Sequence, residues 1–126
     1  METKRIFDKS KYAAEPSTIV GQVIEKLAVL GDAVVAVRGP GFSANLIGKV
    51  YIGEDGGDPV LRVEDCKNPK CHIHVKWNWI EGYCLAQEDV GYGPEPVIYL
   101  IDKDGDPIVN IFYPGKTFTE IESLLA

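Results

Sequence analysis

The chain has 126 residues, of which 45% are hydrophobic and 25% charged, and its formal net charge is −6. This length and composition predict a single globular domain spanning residues 1–126 and exclude a disordered or fibrous protein. The acidic balance argues against a nucleic-acid partner, which needs clustered Lys and Arg, and the lack of a long uncharged apolar run argues against membrane insertion.

The N-terminal region divides into a polar segment and a helix. Residues 1–10 are charged and lack the apolar stretch and cleavage site of a secretory signal, so we expect a cytoplasmic protein. Residues 1–15 are expected to be a loosely held segment. Beyond them, apolar residues recur at helical spacing, with Thr18 in front as an N-cap residue and Gly31 behind as a stop. This pattern predicts an amphipathic helix over residues 19–30.

From Ala33 onward the pattern changes to short β-rich runs separated by Gly, Pro, Asn and Asp. The predicted strands cover residues 33–38, 44–52, 60–64, 72–80, 83–87, 97–101 and 108–113. Because the connections are too short to contain crossover helices, strands that follow one another are expected to pair antiparallel.

The last connection between strands contains three closely spaced aspartates, Asp102, Asp104 and Asp106, and superficially matches a calcium loop. An EF-hand needs a glutamate at its twelfth position, and counting from Asp102 that position is Tyr113. The Asp-Gly pair between two strands instead predicts a hairpin turn.

A second helix is predicted at the C-terminal end. Thr117 and Glu120 have the spacing of a capping box, and the helix is expected to continue through Leu125. The fold class is therefore α+β: a mainly antiparallel sheet of about seven strands flanked by an N-terminal and a C-terminal helix.

The three cysteines, Cys66, Cys71 and Cys84, are an odd number in a chain without an export signal, so free thiols are expected. A metal site is the alternative, because Cys66, Cys71, His72 and His74 lie within nine positions. Their spacing differs from the paired motifs of zinc sites.

The segment from His72 to Ile80 is the main candidate for binding. Strand alternation would place its members on two faces, with Ile73, Val75, Trp77 and Trp79 on the first and His72, His74, Lys76 and Asn78 on the second. The tryptophan face is predicted to pack in the core. The polar face presents imidazole nitrogens, which are common ligands of porphyrin iron.

No phosphate loop, nucleophile elbow or paired-histidine metalloprotease motif is present. Two histidines leave little capacity for acid–base chemistry near neutral pH. An enzyme that acts through its side chains alone is therefore disfavoured.

The order and spacing of several segments resemble the cytosolic heme-utilization carriers of the HutX/ChuX type, which share the HemS-like fold. The resemblance extends from about Ile19 to the C-terminus. The matching segments are Gly39-Pro-Gly-Phe, Leu46-Ile-Gly-Lys-Val, Leu61-Arg-Val-Glu-Asp-Cys66, residues 73–80, Pro96-Val-Ile-Tyr-Leu-Ile-Asp-Lys-Asp-Gly105 and Ile108-Val-Asn-Ile-Phe-Tyr-Pro-Gly115.

The resemblance implies a homodimer that holds or passes on heme, or a similar planar ligand, in the cytoplasm. The sequence departs from the family at residues 42–47, where members usually carry a histidine and this chain has none, and it is shorter at its N-terminus. Two alternatives stay open: an enzyme that transforms heme or a related cofactor, and a structural or partner-binding domain that has the same fold without the ligand.

If heme is bound, we expect His74, or else His72, to ligate the iron, since these are the only imidazoles of the chain. The propionates are expected to lie near Lys76, Arg62 and Lys49, where basic residues are concentrated. If neither histidine ligates the iron, the alternative ligands are the phenolates of Tyr83, Tyr92 and Tyr99.

Overall fold

The computed structural model describes residues 4–6, 19–89 and 94–126. The segment predicted to be loosely held, residues 1–15, falls mostly outside the described residues, as does Tyr92. The elements are β1 (Lys4–Ile6), α1 (Ile19–Ala28), β2 (Ala33–Gly39), β3 (Phe42–Asp55), β4 (Asp58–Asp65), β5 (His72–Lys76), β6 (Gly82–Asp89), β7 (Pro94–Ile101), β8 (Pro107–Phe112) and α2 (Phe118–Leu125).

The strands form one sheet in the order β1-β6-β7-β8-β2-β3-β4-β5, and the pairs are antiparallel. Seven of them match the seven predicted strands, and the three-residue β1 is added at one edge. The prediction of an antiparallel sheet with a helix near each end is confirmed. One detail of the pairing was wrong: β5 and β6 follow each other in the chain but do not pair, because they lie far apart in the sheet order.

The link between β5 and β6 shows that the sheet is curled. Its six Cα steps, from Lys76 to Gly82, reach at most roughly 21 Å. Crossing the six strand spacings between these strands in a flat sheet would take roughly 29 Å. The sheet therefore bends round, and its concave side encloses the space between its two ends.

The curl is helped by the long strand β3, which pairs with β2 through its first half and with β4 through its second. The two pairings meet at Gly48. A Cβ placed there would lie 1.8 Å from the carbonyl oxygen of Glu64, so only glycine allows the backbones of β3 and β4 to approach this closely.

The concave side carries the hydrophobic core, and helix α1 lies against it. The helix buries Val23, Ile24 and Leu27 among strand residues such as Ile111. At the end of α1, the hydroxyl of Tyr113 donates a hydrogen bond to the carbonyl oxygen of Leu27 at 3.1 Å. Burial raises the pKa of this tyrosine, so the phenol stays protonated and keeps the helix tied to the sheet.

Helix α2 begins as its sequence predicts. The Thr117 Oγ1 accepts a hydrogen bond from the backbone N–H of Glu120 at 3.1 Å, which satisfies one of the open donors of the first turn. The helix contacts α1, β6 and β7, and Ile121 is its buried residue. The two helices therefore lie on the same side of the sheet and contact each other, α1 chiefly against β3 and α2 against β6 and β7.

The strand predicted over residues 72–80 is shorter than expected. β5 ends at Lys76, and residues 77–79 form a single 3₁₀ turn closed by the Ile80 N–H on the Trp77 carbonyl. This turn breaks the alternation on which the prediction depended. Trp77 is buried, as predicted, but Trp79 is 56% exposed, so its placement in the core was wrong.

The hairpin turn predicted after β7 is confirmed. The Asp102 Oδ1 accepts the N–H groups of Asp104 and Asp106 at 2.9 and 3.0 Å, and Gly105 adopts a φ of 84°. The aspartate side chain thus replaces the backbone as acceptor in the turn.

Candidate ligand site

The residues predicted to bind heme lie on one face of three neighbouring strands. Residues opposite each other in antiparallel strands share a face, and the register pairs Lys49 with Glu64 and Glu64 with His72 in one row. The next row pairs Arg62 with His74, and Lys76 follows on β5. The structure therefore brings the five predicted residues together on the convex side of the sheet, opposite the helices.

The two histidines form a stacked pair. Their ring centroids are 4.7 Å apart, and the planes are inclined by 26°. The Nδ1 of His74 lies 3.4 Å from a carboxylate oxygen of Asp55, while its Nε2 is enclosed and has no hydrogen-bond partner. With Nδ1 directed at a carboxylate, Nε2 is the nitrogen left for a metal, an arrangement common among metal-binding histidines.

The positive charge expected on this face is partly compensated. The Nε of Arg62 lies 3.9 Å from Glu64, which also accepts a 2.6 Å hydrogen bond from the hydroxyl of Tyr51. That hydrogen bond raises the pKa of Tyr51, with burial adding to it. The glutamate therefore reduces the attraction that Arg62 and Lys49 would exert on an anion.

Space for a ligand lies on the other side of β5. A cavity of about 830 Å³ opens between the end of β2, strand β5 and the turn that joins β7 to β8. Its apolar lining residues are Val37, Pro40, Phe42, Ile73, Val75, Trp79, Pro107 and Ile108. The volume is within the range of about 300–1,000 Å³ typical of small-molecule and cofactor sites.

Two aromatic side chains stand out in this cavity because they are exposed. Phe42 is 61% and Trp79 is 56% exposed, and both lie in the lining. Large apolar side chains that stay open to water beside a cavity are typical of ligand sites. Of the five predicted residues, His74 and Lys76 line the cavity, whereas Lys49, Arg62 and His72 do not.

The charged lining includes residues that sequence reasoning missed. Arg38 lies at the end of β2, and Asp102, Asp104 and Asp106 belong to the β7–β8 turn. The available signal was their position in a turn or, for Arg38, next to one. The cavity itself was hidden because the strands that form it are distant in the sequence and meet through the curl of the sheet. Sequence alternation does not reveal such a curl.

The described tyrosines named as alternative iron ligands and the three cysteines do not line the cavity. Tyr83 is buried in the core, and Tyr99 donates a hydrogen bond to Glu88. The three cysteines are all described, and none forms a disulfide, as expected; Cys66 and Cys71 are exposed. Among the described residues, only Asp102, Asp104 and Asp106 place three potential metal-ligand atoms within 4.8 Å of one another, so the alternative of a cysteine–histidine metal cluster is not supported.

No protein-family model matches this sequence, and neither does any curated protein. Solved structures do match. Two structures of ChuX, one of them described as a heme-binding protein, are 12% and 11% identical to the chain, with TM-scores of 0.66 and 0.63. The matches cover 98% of this chain and 72% and 75% of ChuX. The chain has the ChuX fold.

The ChuX fold also relates this chain to two longer proteins. ChuS, described as an E. coli heme oxygenase, is 15% identical with a TM-score of 0.61; the match covers 97% of this chain and 35% of ChuS. Holo-PhuS, described as a heme-binding protein from Pseudomonas aeruginosa, is 19% identical with a TM-score of 0.58, covering 97% of this chain and 33% of PhuS. The chain thus spans about a third of each.

The ChuX fold of this chain uses only two short helices within the described residues, and neither is long and apolar enough to cross a membrane.

Proposed function

We propose that this protein binds heme and holds it for transfer. The observation that carries the proposal is the cavity of about 830 Å³ beside β5, whose walls combine exposed aromatic side chains with His74. The proteins of this fold described as heme-binding support the choice of ligand. A flat, largely apolar macrocycle suits a cavity with this lining better than a small polar metabolite does.

The residues of the cavity fit the parts of the ligand. Phe42 and Trp79 offer apolar surface to the porphyrin, and Lys76 offers positive charge to its propionates. The group would supply an iron that accepts a nitrogen ligand, and His74 is the imidazole at the cavity.

Ligation requires a change in the His74 side chain. Its Nε2 is enclosed without a hydrogen-bond partner and its ring is stacked on that of His72, so the imidazole has to turn towards the cavity. The contact given up is small, because the 3.4 Å distance to Asp55 is long for a hydrogen bond and Asp55 is exposed. His72 remains the second candidate for the ligand.

A hemin titration followed by absorbance tests the proposal. We expect a saturable shift of the Soret band with one hemin per chain. The control is the double variant Phe42→Ser with Trp79→Ser, which removes the aromatic walls without touching a buried residue. A titration of the unaltered protein that shows no saturable change would overturn the proposal and favour a ligand-free structural or partner-binding domain.

Storage and transfer, rather than degradation, is proposed because the match covers 75% of ChuX, described as a heme-binding protein, but only 35% of ChuS, described as a heme oxygenase. Hemin incubated with the protein and a reductant should keep its Soret band. Loss of the band with formation of a linear tetrapyrrole would instead establish an enzyme that transforms heme.

We further propose that the protein works in the cytoplasm, and the free, exposed thiols of Cys66 and Cys71 support a reducing compartment. Fractionation of the native cells, with this chain followed by antibody, tests this directly. Recovery outside the cytoplasmic fraction would contradict it.

A homodimer is proposed on the convex face of the sheet, the side away from the two described helices. Five strands place apolar residues in one register row there: Ala86, Val97, Phe112, Val34 and Ile47. Ala86 and Val97 are already buried in the single chain, Val34 and Phe112 are half-buried and Ile47 is 54% exposed, so only the β8, β2 and β3 part of the row faces water. Two such rows stacked face to face would bury it.

Light scattering tests the dimer. Ile47→Glu should convert dimer to monomer, while Val29→Glu, at a position that is 75% exposed near the end of α1, should not. A monomer for the unaltered protein at high concentration would remove the proposal.

A further inference from the structure

The two walls of the cavity carry opposite charge. On the β5 wall, the charged lining residue is the base Lys76. On the opposite wall, the β7–β8 turn contributes three acids to the lining. Two bases are near them: Arg38 at the end of β2, which lines the cavity, and Lys103 in the same turn, which lies beside Trp79 outside the lining. A ligand in the cavity therefore lies between a basic wall and a wall with an excess of acids.

The acidic wall is concentrated and fixed in place. Oxygens of Asp102, Asp104 and Asp106 all lie within 4.8 Å of one another. Asp102 is held by the two N–H groups that it accepts, and the left-handed Gly105 sets the shape of the turn. These hydrogen bonds hold the backbone of the turn in shape, and all three carboxylates belong to the lining of the cavity.

This arrangement has a consequence for which porphyrins fit. Iron protoporphyrin carries two propionates on one edge, and both can lie towards Lys76 with the uncharged edge towards the acidic turn. A porphyrin with propionates around the whole ring must direct some of them at the aspartates. Like charges placed opposite each other at a binding interface are strongly unfavourable.

We propose that the aspartates of the β7–β8 turn make the cavity selective for porphyrins with two carboxylates over porphyrins with four. The inference rests on the proposed function and adds a selectivity that the fold alone does not imply. Asp104 and Asp106 are the specificity-determining residues, since both are exposed at the rim, whereas Asp102 maintains the turn.

The experiment compares two iron(III) porphyrins with the same macrocycle and metal: hemin and iron(III) coproporphyrin, in which two further propionates replace the vinyl groups. Both are titrated against the full chain in the same buffer and salt. We expect hemin to bind more tightly by at least about tenfold. Equal affinity would overturn the inference and leave heme binding standing, whereas failure of both ligands to bind would overturn the two together.

A charge variant separates electrostatics from the loss of the vinyl groups. Asp104→Asn with Asp106→Asn should bring the affinity ratio down to about threefold or less, chiefly by strengthening coproporphyrin binding. The matched control, Glu25→Gln with Glu54→Gln, changes the net charge equally at exposed positions outside the cavity lining and should leave the ratio unchanged. A ratio that moves equally in both variants, or in neither, would show that the turn does not select.

Discussion

The two sides of strand β5 differ in a way that matters for function. The convex side carries the residues that suggest chemistry, with His72 and His74 in register with Glu64 and Arg62. The concave side carries apolar residues and, because the sheet is curled, the space for a ligand. The residue pattern directed attention to β5, but the room for a ligand depends on how distant strands meet.

His74 belongs to both sides. It alternates with Ile73 and lies in register with Arg62 on the convex face, yet it also lines the cavity. Lys76, two residues further along β5, shares both properties. Since β5 is an edge strand, a side chain at this position can turn around the edge. The contributions of the two sides are therefore best compared with variants that each change a residue on one side only.

The largest effect is expected from the core on the concave side. Ile111→Ala removes a fully buried side chain and should lower the free energy of unfolding by about 2–5 kcal/mol. Ile47→Ala on the convex face, at a site 54% exposed, should change it by about 0.5 kcal/mol or less in the monomer. Urea denaturation at low protein concentration measures both, and equal effects would contradict the assignment of the core to one side.

The next effect concerns the iron ligand. His74→Ala should weaken hemin binding by at least about tenfold and shift the Soret maximum, because a direct iron–nitrogen bond is lost. Arg62→Ala, beyond the cavity and beside Glu64, should change the affinity by less than about threefold. If the double change His72→Ala with His74→Ala left both the Soret maximum and the affinity as they were, the proposed ligands would be wrong.

A smaller effect is expected from the aromatic wall. Trp79→Ala should weaken hemin binding by about three- to tenfold, since the ring contributes apolar contact to the ligand. The unfolding temperature of the Trp79→Ala variant should stay close to that of the unaltered protein, because the Trp79 side chain is 56% exposed. Trp77→Ala, two residues away and buried, should instead destabilise the fold. Calorimetry and hemin titration on both variants separate these roles, and a destabilised Trp79→Ala would contradict them.

The smallest effect distinguishes two lysines. Lys76→Ala, at the cavity, should weaken hemin binding by up to about fivefold at low salt, and the difference should shrink as salt is added. Lys49→Ala, on the convex face, should have no measurable effect on the affinity. If Lys49→Ala weakened hemin binding more than Lys76→Ala did, the propionates would lie on the convex face, which would contradict this account.

The sequence predicted those features that depend on local patterns. Alternation and turn residues located the seven main strands, and the Thr117 cap located the start of α2. The cavity escaped prediction because its walls are far apart in the chain. Trp79 was misplaced for the same reason: the link to β6 has to leave the sheet at Lys76, and the 3₁₀ turn that results overrides the strand alternation.

The central claim is that the ligand occupies the concave cavity, and paramagnetic broadening in NMR spectra tests it most directly. Iron(III) protoporphyrin broadens signals near the metal, whereas gallium(III) protoporphyrin, of the same shape, does not. With one equivalent of the iron compound, we predict loss of the amide signals of Gly39, Phe42 and Asp104, while those of Lys49 and Glu64 persist. Loss of the Lys49 and Glu64 signals with the cavity signals intact would place the ligand on the convex face and contradict the account.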